Sequence, residues 1–188
     1  IRMKNLLFCA AFSIALFSCS SNVDLAIDNP TEFPVEVTID TLRVEVPAKQ
    51  VVWVEMGKGE HKVTLANDSI ISFNFTDDLY MLNPTQTKYL VSEQYYGPPA
   101  FQASYNHVLP NKTIEFLGTE IEGNYKTISD VINKVSWDYG PRESLPEMIQ
   151  VDSDEMYTVL LKVSDPYEIM EQYMNSAPEE EVMETENP

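Results

Sequence analysis

Two histidines, His61 and His107, are all the imidazoles in this 188-residue chain, and neither sits in a pattern that makes an imidazole reactive. A triad needs a histidine poised between a hydroxyl and a carboxylate, and a zinc helix needs an HExxH spacing; the chain writes neither. His61 falls in a turn-to-strand alternation, and His107 in the loop-like stretch Tyr105-Asn106-His107-Val108. The six glycines make no phosphate-cradling loop, which argues against nucleotide chemistry. Asp77-Asp78 and Asp152-Ser153-Asp154-Glu155 offer oxygens to calcium, but they lack the fixed ligand steps, turn glycine and distal glutamate of a calcium loop. No metal and no cofactor is expected. Two of the thirty acids could form a hydrolase pair, yet sequence does not encode the distance between carboxylates, so no catalytic residue is assigned and no enzyme is expected.

Aromatic residues carry the better lead. Tyr89, Tyr95, Tyr96, Phe101 and Tyr105 gather around Gly97-Pro98-Pro99, and Trp137-Asp138-Tyr139-Gly140-Pro141 forms a second aromatic turn. Tyr and Trp in loops offer a large rigid surface with a polar edge, suited to stacking on a sugar ring or anchoring a protein partner. Tyr95, Tyr96, Phe101, Tyr105, Trp137 and Tyr139 are therefore the candidate ligand-binding residues. The competing reading is that these rings pack the junction between two halves of the chain.

The elements that would position them are mostly strands. Val35, Val37 and Ile39 alternate with Glu36, Thr38 and Asp40, and Leu42, Val44 and Val46 alternate with Thr41, Arg43 and Glu45. The pattern recurs at Val52, Val54 and Met56, at Val63 and Leu65, and at Ile71, Phe73 and Phe75. Such period-two alternation buries one face, and turn residues at Asp28-Asn29-Pro30, Pro47-Ala48-Lys49, Gly57-Lys58-Gly59 and Asn67-Asp68 divide the runs. Short strands at this spacing predict a β-sandwich or a small barrel. Further strands are expected over Lys88–Tyr96, Thr113–Leu117 and Met156–Val163. Thr127–Val135 fits a helix by spacing and a strand by its β-branched content. Asp165 to Asn175 is the expected helix: Asp165 caps it, Pro166 suits its first position, and Glu168 completes a capping box. Ile169, Met170, Tyr173 and Met174 form its apolar stripe, expected to face the core.

The fold class is thus mainly β: an N-terminal Ig-like β-sandwich module, then a smaller β-rich or α+β region with a C-terminal helix. The expected divisions are a leader at 1–18, a tether at 19–24, the β-sandwich at 25–76, the second region at 77–176, and an acidic disordered tail at 177–188.

The leader bears on localisation. Arg2 and Lys4 flank Met3, the expected initiator; apolar residues run from Leu6 to Phe17; and Ser18 precedes Cys19. A positive start, a short apolar middle and a small residue at the cut have the order of a signal peptide, and the middle is too short to cross a bilayer. Leu16-Phe17-Ser18-Cys19 resembles the lipobox of bacterial lipoproteins, which implies acylation of Cys19 with palmitate-type chains and anchoring in a membrane. Ser20 after the cysteine resembles lipoproteins sent to the outer membrane, on either of its faces. Removing Arg2 and Lys4 with the leader takes the net charge from −18 to −20, a surface that repels nucleic acid and anionic headgroups alike. An acylated Cys19 would leave no free thiol, since Cys9 departs with the leader.

Two weaker resemblances follow. The Asn29-Pro30 opening, the Val35–Asp40 strand, the Val46-Pro47-Ala48 turn and Gly59-Glu60-His61-Lys62-Val63 resemble Ig-like or PEGA-like modules of envelope proteins, mostly structural or adhesive. Asp40-Thr41-Leu42 and Asp68-Ser69-Ile70 resemble acceptor sites of a bacterial O-glycosylation system. Together these lead to a non-enzymatic envelope lipoprotein acting as a binding or assembly module, with another envelope protein or a glycan as partner. Carbohydrate binding through the tyrosine- and tryptophan-rich loops is the alternative, and a carboxylate hydrolase the third reading.

Overall fold

The computed structural model describes residues 22–98, 112–151 and 157–176, with side chains through Glu171. The leader and Cys19, Phe101, Tyr105, His107, the acidic run at 152–155, the side chains of Tyr173 and Met174, and the tail at 177–188 lie outside the described residues. What is described is mainly β.

The first half forms two packed sheets. In one, β3 (Leu42–Val46), β2 (Val35–Ile39), β5 (Gly59–Thr64) and β6 (Ile70–Phe75) lie side by side and antiparallel. In the other, β4 (Gln50–Gly57) runs antiparallel to β1 (Asn22–Asn29), β1 runs parallel to β7 (Leu79–Leu82), and β12 (Ile132–Lys134) closes the order. Alternation decides what faces what: Val23, Leu25 and Ile27 point into a core shared with Val37, Val46, Val63 and Phe75, while Ala26 and Asp28 point the other way. Phe73, Phe75 and Tyr80 meet edge to face within this core, with centroids 4.8–5.6 Å apart.

Two more layers cover the outer face of the β1 sheet. β11 (Tyr125–Ile128), β8 (Tyr89–Tyr96) and β13 (Thr158–Ser164) form a third sheet, and its Tyr89, Val91 and Val163 pack on Met81 of β7. On the far side of that sheet, Leu90 meets Phe116 of β9 (Lys112–Phe116), Ile121 of β10 (Thr119–Gly123) and Ile169 of the helix α1 (Pro166–Ser176). The β9–β10 turn uses Leu117 and Gly118, both at positive φ, as a two-residue hairpin requires.

Several expectations are corrected in detail. β1 starts at Asn22, inside the segment expected to be tether, because Val23 continues the buried alternation and is 0% exposed. The sheet also crosses the expected division at residue 76, since β7 and β12 come from beyond it and hydrogen-bond into β1's sheet. Thr127–Val135 resolves as the end of β11, a turn and β12, with Asn133 Nδ2 donating to the Asp130 carbonyl at 2.7 Å. Leu42, expected inside, is 51% exposed at a hairpin corner. In α1 the capping box forms as the sequence predicts: Asp165 accepts from the amides of Tyr167 and Glu168, and Glu168 Oε2 accepts from the Asp165 amide. The stripe does not wholly turn inward: Ile169 is buried, but Met170 is half exposed.

A repeated device ends the two parallel strands. β1 runs into Asn29-Pro30-Thr31 and β7 into Asn83-Pro84-Thr85. Proline offers no N–H, so each fully buried asparagine organises its turn instead. Asn29 donates to the carbonyls of Phe33 and Val46 and accepts from the Thr31 amide; Asn83 donates to the Thr87 carbonyl and accepts from its amide.

At the other side of the sandwich, Asp40 sits at positive φ in the β2–β3 turn. Its carboxylate accepts the Lys62 amide at 2.9 Å and meets His61 Nδ1 at 2.7 Å, while His61 Nε2 meets the Gly57 carbonyl. The Asp40 bond holds the His61 pKa above 6.5, and the Lys62 amide bond, with His61, holds that of Asp40 below 3.8. A raised histidine pKa contributes stability below the unfolded value that is lost as pH rises through the folded one; a lowered aspartate contributes above 3.8 and loses it as pH falls. The pair therefore clamps the hairpin in the window between the two folded values. We predict that His61 titrates above 6.5 in an NMR pH series and returns toward it in Asp40→Asn.

Candidate functional site

Outward-facing Asp28 is fully buried where the β1 sheet meets the third sheet. Two partners reach it: the Tyr89 hydroxyl donates to Oδ2, and Arg142 Nη1 donates to Oδ1. Arg142 Nη2 lies 2.8 Å from Asp165 Oδ2, an ion pair out of line for a hydrogen bond, so one guanidinium serves two buried carboxylates. Burial pushes the Asp28 carboxyl up to about 6 although Arg142 pulls it down, and burial likewise raises the Tyr89 phenol.

Arg142 belongs to a strap, residues 135–143, that this network holds in place. The Asp138 and Tyr139 amides donate to the Leu161 carbonyl, and the Val163 amide donates back to Tyr139, so the strap runs beside β13. Buried Lys162 donates to the Gly140 and Val163 carbonyls and to Glu168 Oε1, which also accepts the Arg142 amide. The lone lysine and the arginine thus fasten the strap to β13 and to the first turn of α1.

Between the strap and the outer face of the β1 sheet lies an open cleft of about 450 Å³. Ala26, Trp53, Leu79 and Met81 form its sheet side, and Trp137, Asp138, Arg142 and Glu143 its strap side. Trp53 is 56% exposed, opposite Ala26 in the register, where the small side chain leaves its ring uncovered. Trp137 is half-buried: it packs on the Tyr89–Val91–Val163 core and also lines the cleft. The chain's two tryptophans therefore face one space. A Cβ on Gly140 would come within 3.6 Å of the Glu143 carboxylate and 3.8 Å of the Trp137 indole nitrogen, so carboxylate and indole edge meet above a residue without a side chain.

Of the sequence-predicted site residues, Phe101 and Tyr105 lie outside the described residues, and among the other four only Trp137 lines the cleft. Tyr139 is next to it but bridges to Lys162. Tyr95 and Tyr96 are consecutive on β8 and so point to opposite faces of the third sheet. The Tyr95 hydroxyl donates to Glu93 at 2.6 Å, its ring tilts against Tyr157, and burial and that bond push its pKa up to about 12. Burial, with Tyr139 nearby, also raises the Tyr96 phenol. Tyr89 is core. The packing alternative thus accounts for Tyr89 and for part of Trp137.

Other candidates have structural employment. Asp77 pairs with Lys134 and Asp78 with Lys58, each at 2.6–2.7 Å, so lysines stand where calcium was considered. His61 has both ring nitrogens engaged. Thr41 and Ser69 of the two Asp-Thr/Ser motifs are exposed in turns where Asp40 and Asp68 take positive φ, which explains the aspartates by backbone geometry. Among the described residues no group of three or more histidine, cysteine or acidic side chains is arranged for a metal, and no helix is long and apolar enough to cross a membrane.

Sequence reasoning missed Trp53, Asp28 and Arg142. Trp53 carried a signal: it stands at an outward position between inward Val52 and Val54, where a polar residue is expected. No family model, curated protein or solved structure matches the chain.

Removing the shared cation leaves two buried carboxylates facing one another's charge. We predict that Arg142→Met lowers stability at pH 7 by about 3–5 kcal/mol. An acid whose folded pKa is raised destabilises the fold progressively as pH climbs from 3.8 to about 6, and losing Arg142 raises that pKa further. The deficit of Arg142→Met in urea unfolding should accordingly shrink toward pH 4, where Asp28 takes a proton.

Proposed function

We propose that this chain is a non-enzymatic envelope lipoprotein, anchored through acylated Cys19, whose folded part is a binding module. The observation that carries the binding reading is the cleft lined by both tryptophans, Trp53 from the β1 sheet and Trp137 from the strap. A concave site of this size, with an aromatic side chain left more than half exposed, is what ligand or partner recognition uses. The leader supports the anchor, through Ser18-Cys19 and the apolar run before it.

The hydrolase reading loses ground at this site. Asp138 accepts the Leu161 amide and Glu143 the Gly140 amide, so each carboxylate commits an oxygen to holding the strap.

Trp53→Ala separates recognition from folding, because an exposed side chain on a sheet surface changes stability by only about 0.5 kcal/mol. With the full chain immobilised in detergent, a soluble envelope extract should bind the parent and not Trp53→Ala, while both share one urea midpoint. Equal binding by the two chains would contradict the cleft as the recognition surface. Metabolic labelling with an alkyne palmitate should mark the parent and not Cys19→Ala; labelling of both would contradict the anchor.

A further inference from the structure

We infer that the cleft takes a neutral saccharide, stacked on Trp53 and closed from the side by Trp137; this rests on the binding reading above and names its ligand class. The four charged side chains in the lining decide against an ionic ligand. Lys49 and Arg142 are cations, Asp138 and Glu143 anions, so the wall is balanced. The two cations are moreover already paired, Lys49 with Glu32 at 2.6 Å and Arg142 with Asp28 and Asp165. An anion would have to compete with those carboxylates. A cation would gain Asp138 and Glu143 but approach Lys49 and Arg142 across the same space. A neutral, polyhydroxylated molecule meets neither conflict.

The rest of the lining suits such a molecule. A pyranose presents C–H groups on its faces and hydroxyls at its rim, and it is recognised by a flat aromatic ring together with mixed donors and acceptors. Trp53 supplies the ring, more than half exposed and paired across β1 and β4 with Ala26. Asp138 and Glu143 accept with the oxygens not used by backbone amides. Trp137 adds the second apolar wall, standing where β12 gives way to the strap. The volume of about 450 Å³ lies within the roughly 300–1,000 Å³ of small-molecule sites and is open enough for a longer chain to run through.

The test uses the full chain in detergent and its own emission, since both indoles lie in the cleft. Laminarin, xylohexaose, chitohexaose and mannohexaose serve as neutral probes, oligolysine as the cation and heparin as the anion. The expected result is a saturable change in emission with at least one neutral probe. Its affinity should change less than about twofold between low and high salt, as befits an uncharged ligand. In isothermal calorimetry Trp53→Ala should weaken that affinity by about tenfold or more, with its urea midpoint unchanged. Trp53→Phe should retain part of the affinity. Response to oligolysine or heparin alone, abolished by Trp53→Ala, would overturn the saccharide and leave the cleft as a binding site. Saccharide binding indifferent to Trp53→Ala would overturn both, and silence toward all four neutral probes would overturn the saccharide.

Discussion

One guanidinium holds the layers of this protein in register. Arg142 enters the junction between the β1 sheet and the third sheet, pairs with Asp28 from one and with Asp165 at the entrance to α1. Both carboxylates are almost wholly buried, and a buried carboxylate without a partner is costly. The arrangement is therefore demanding in place of merely favourable: β1, β8, the strap and the helix start must all arrive together for the charges to be met. Hydrophobic contact with Met81 is non-directional, whereas a guanidinium hydrogen-bonded to Asp28 and paired with Asp165 constrains where the layers meet.

The same cluster borders the cleft. Lys162 and Glu168 hold Gly140 and the Arg142 amide beside β13 and α1, and residues 137–143 of the strap so held form one wall of the space whose other wall is the β1 sheet. Stability and recognition are coupled through neighbouring atoms of residues 140–143. Carboxylates at 138 and 143 then face the cleft while fastening the strap that bears them.

Local pattern was enough for the sandwich strands, because alternation at Val35, Val37 and Ile39 or at Ile71, Phe73 and Phe75 reports burial directly, and enough for α1, whose capping box is contained in Asp165-Pro166-Tyr167-Glu168. It was not enough for the sheet order. The parallel pairing of β1 with β7 joins residues fifty-five positions apart in register, Leu25 with Tyr80, and nothing local marks it except the shared Asn-Pro-Thr ending. For the site, the sequence singled out Trp137 but grouped it with tyrosines that β-strand geometry sends to opposite faces. Asp28, Arg142 and Asp165 were illegible as a unit because a pair separated by 114 residues leaves no spacing to recognise.

Hydrogen–deuterium exchange on Arg142→Met tests most directly whether this ion pair locks the layers. If it does, the amides of Asp138, Tyr139 and Val163 lose more protection in the variant than those of Leu25, Val37 and Val63 in the sandwich, whose loss is limited to the fall in global stability. Equal loss of protection in both regions, or no change in the strap, would contradict a junction built on Arg142.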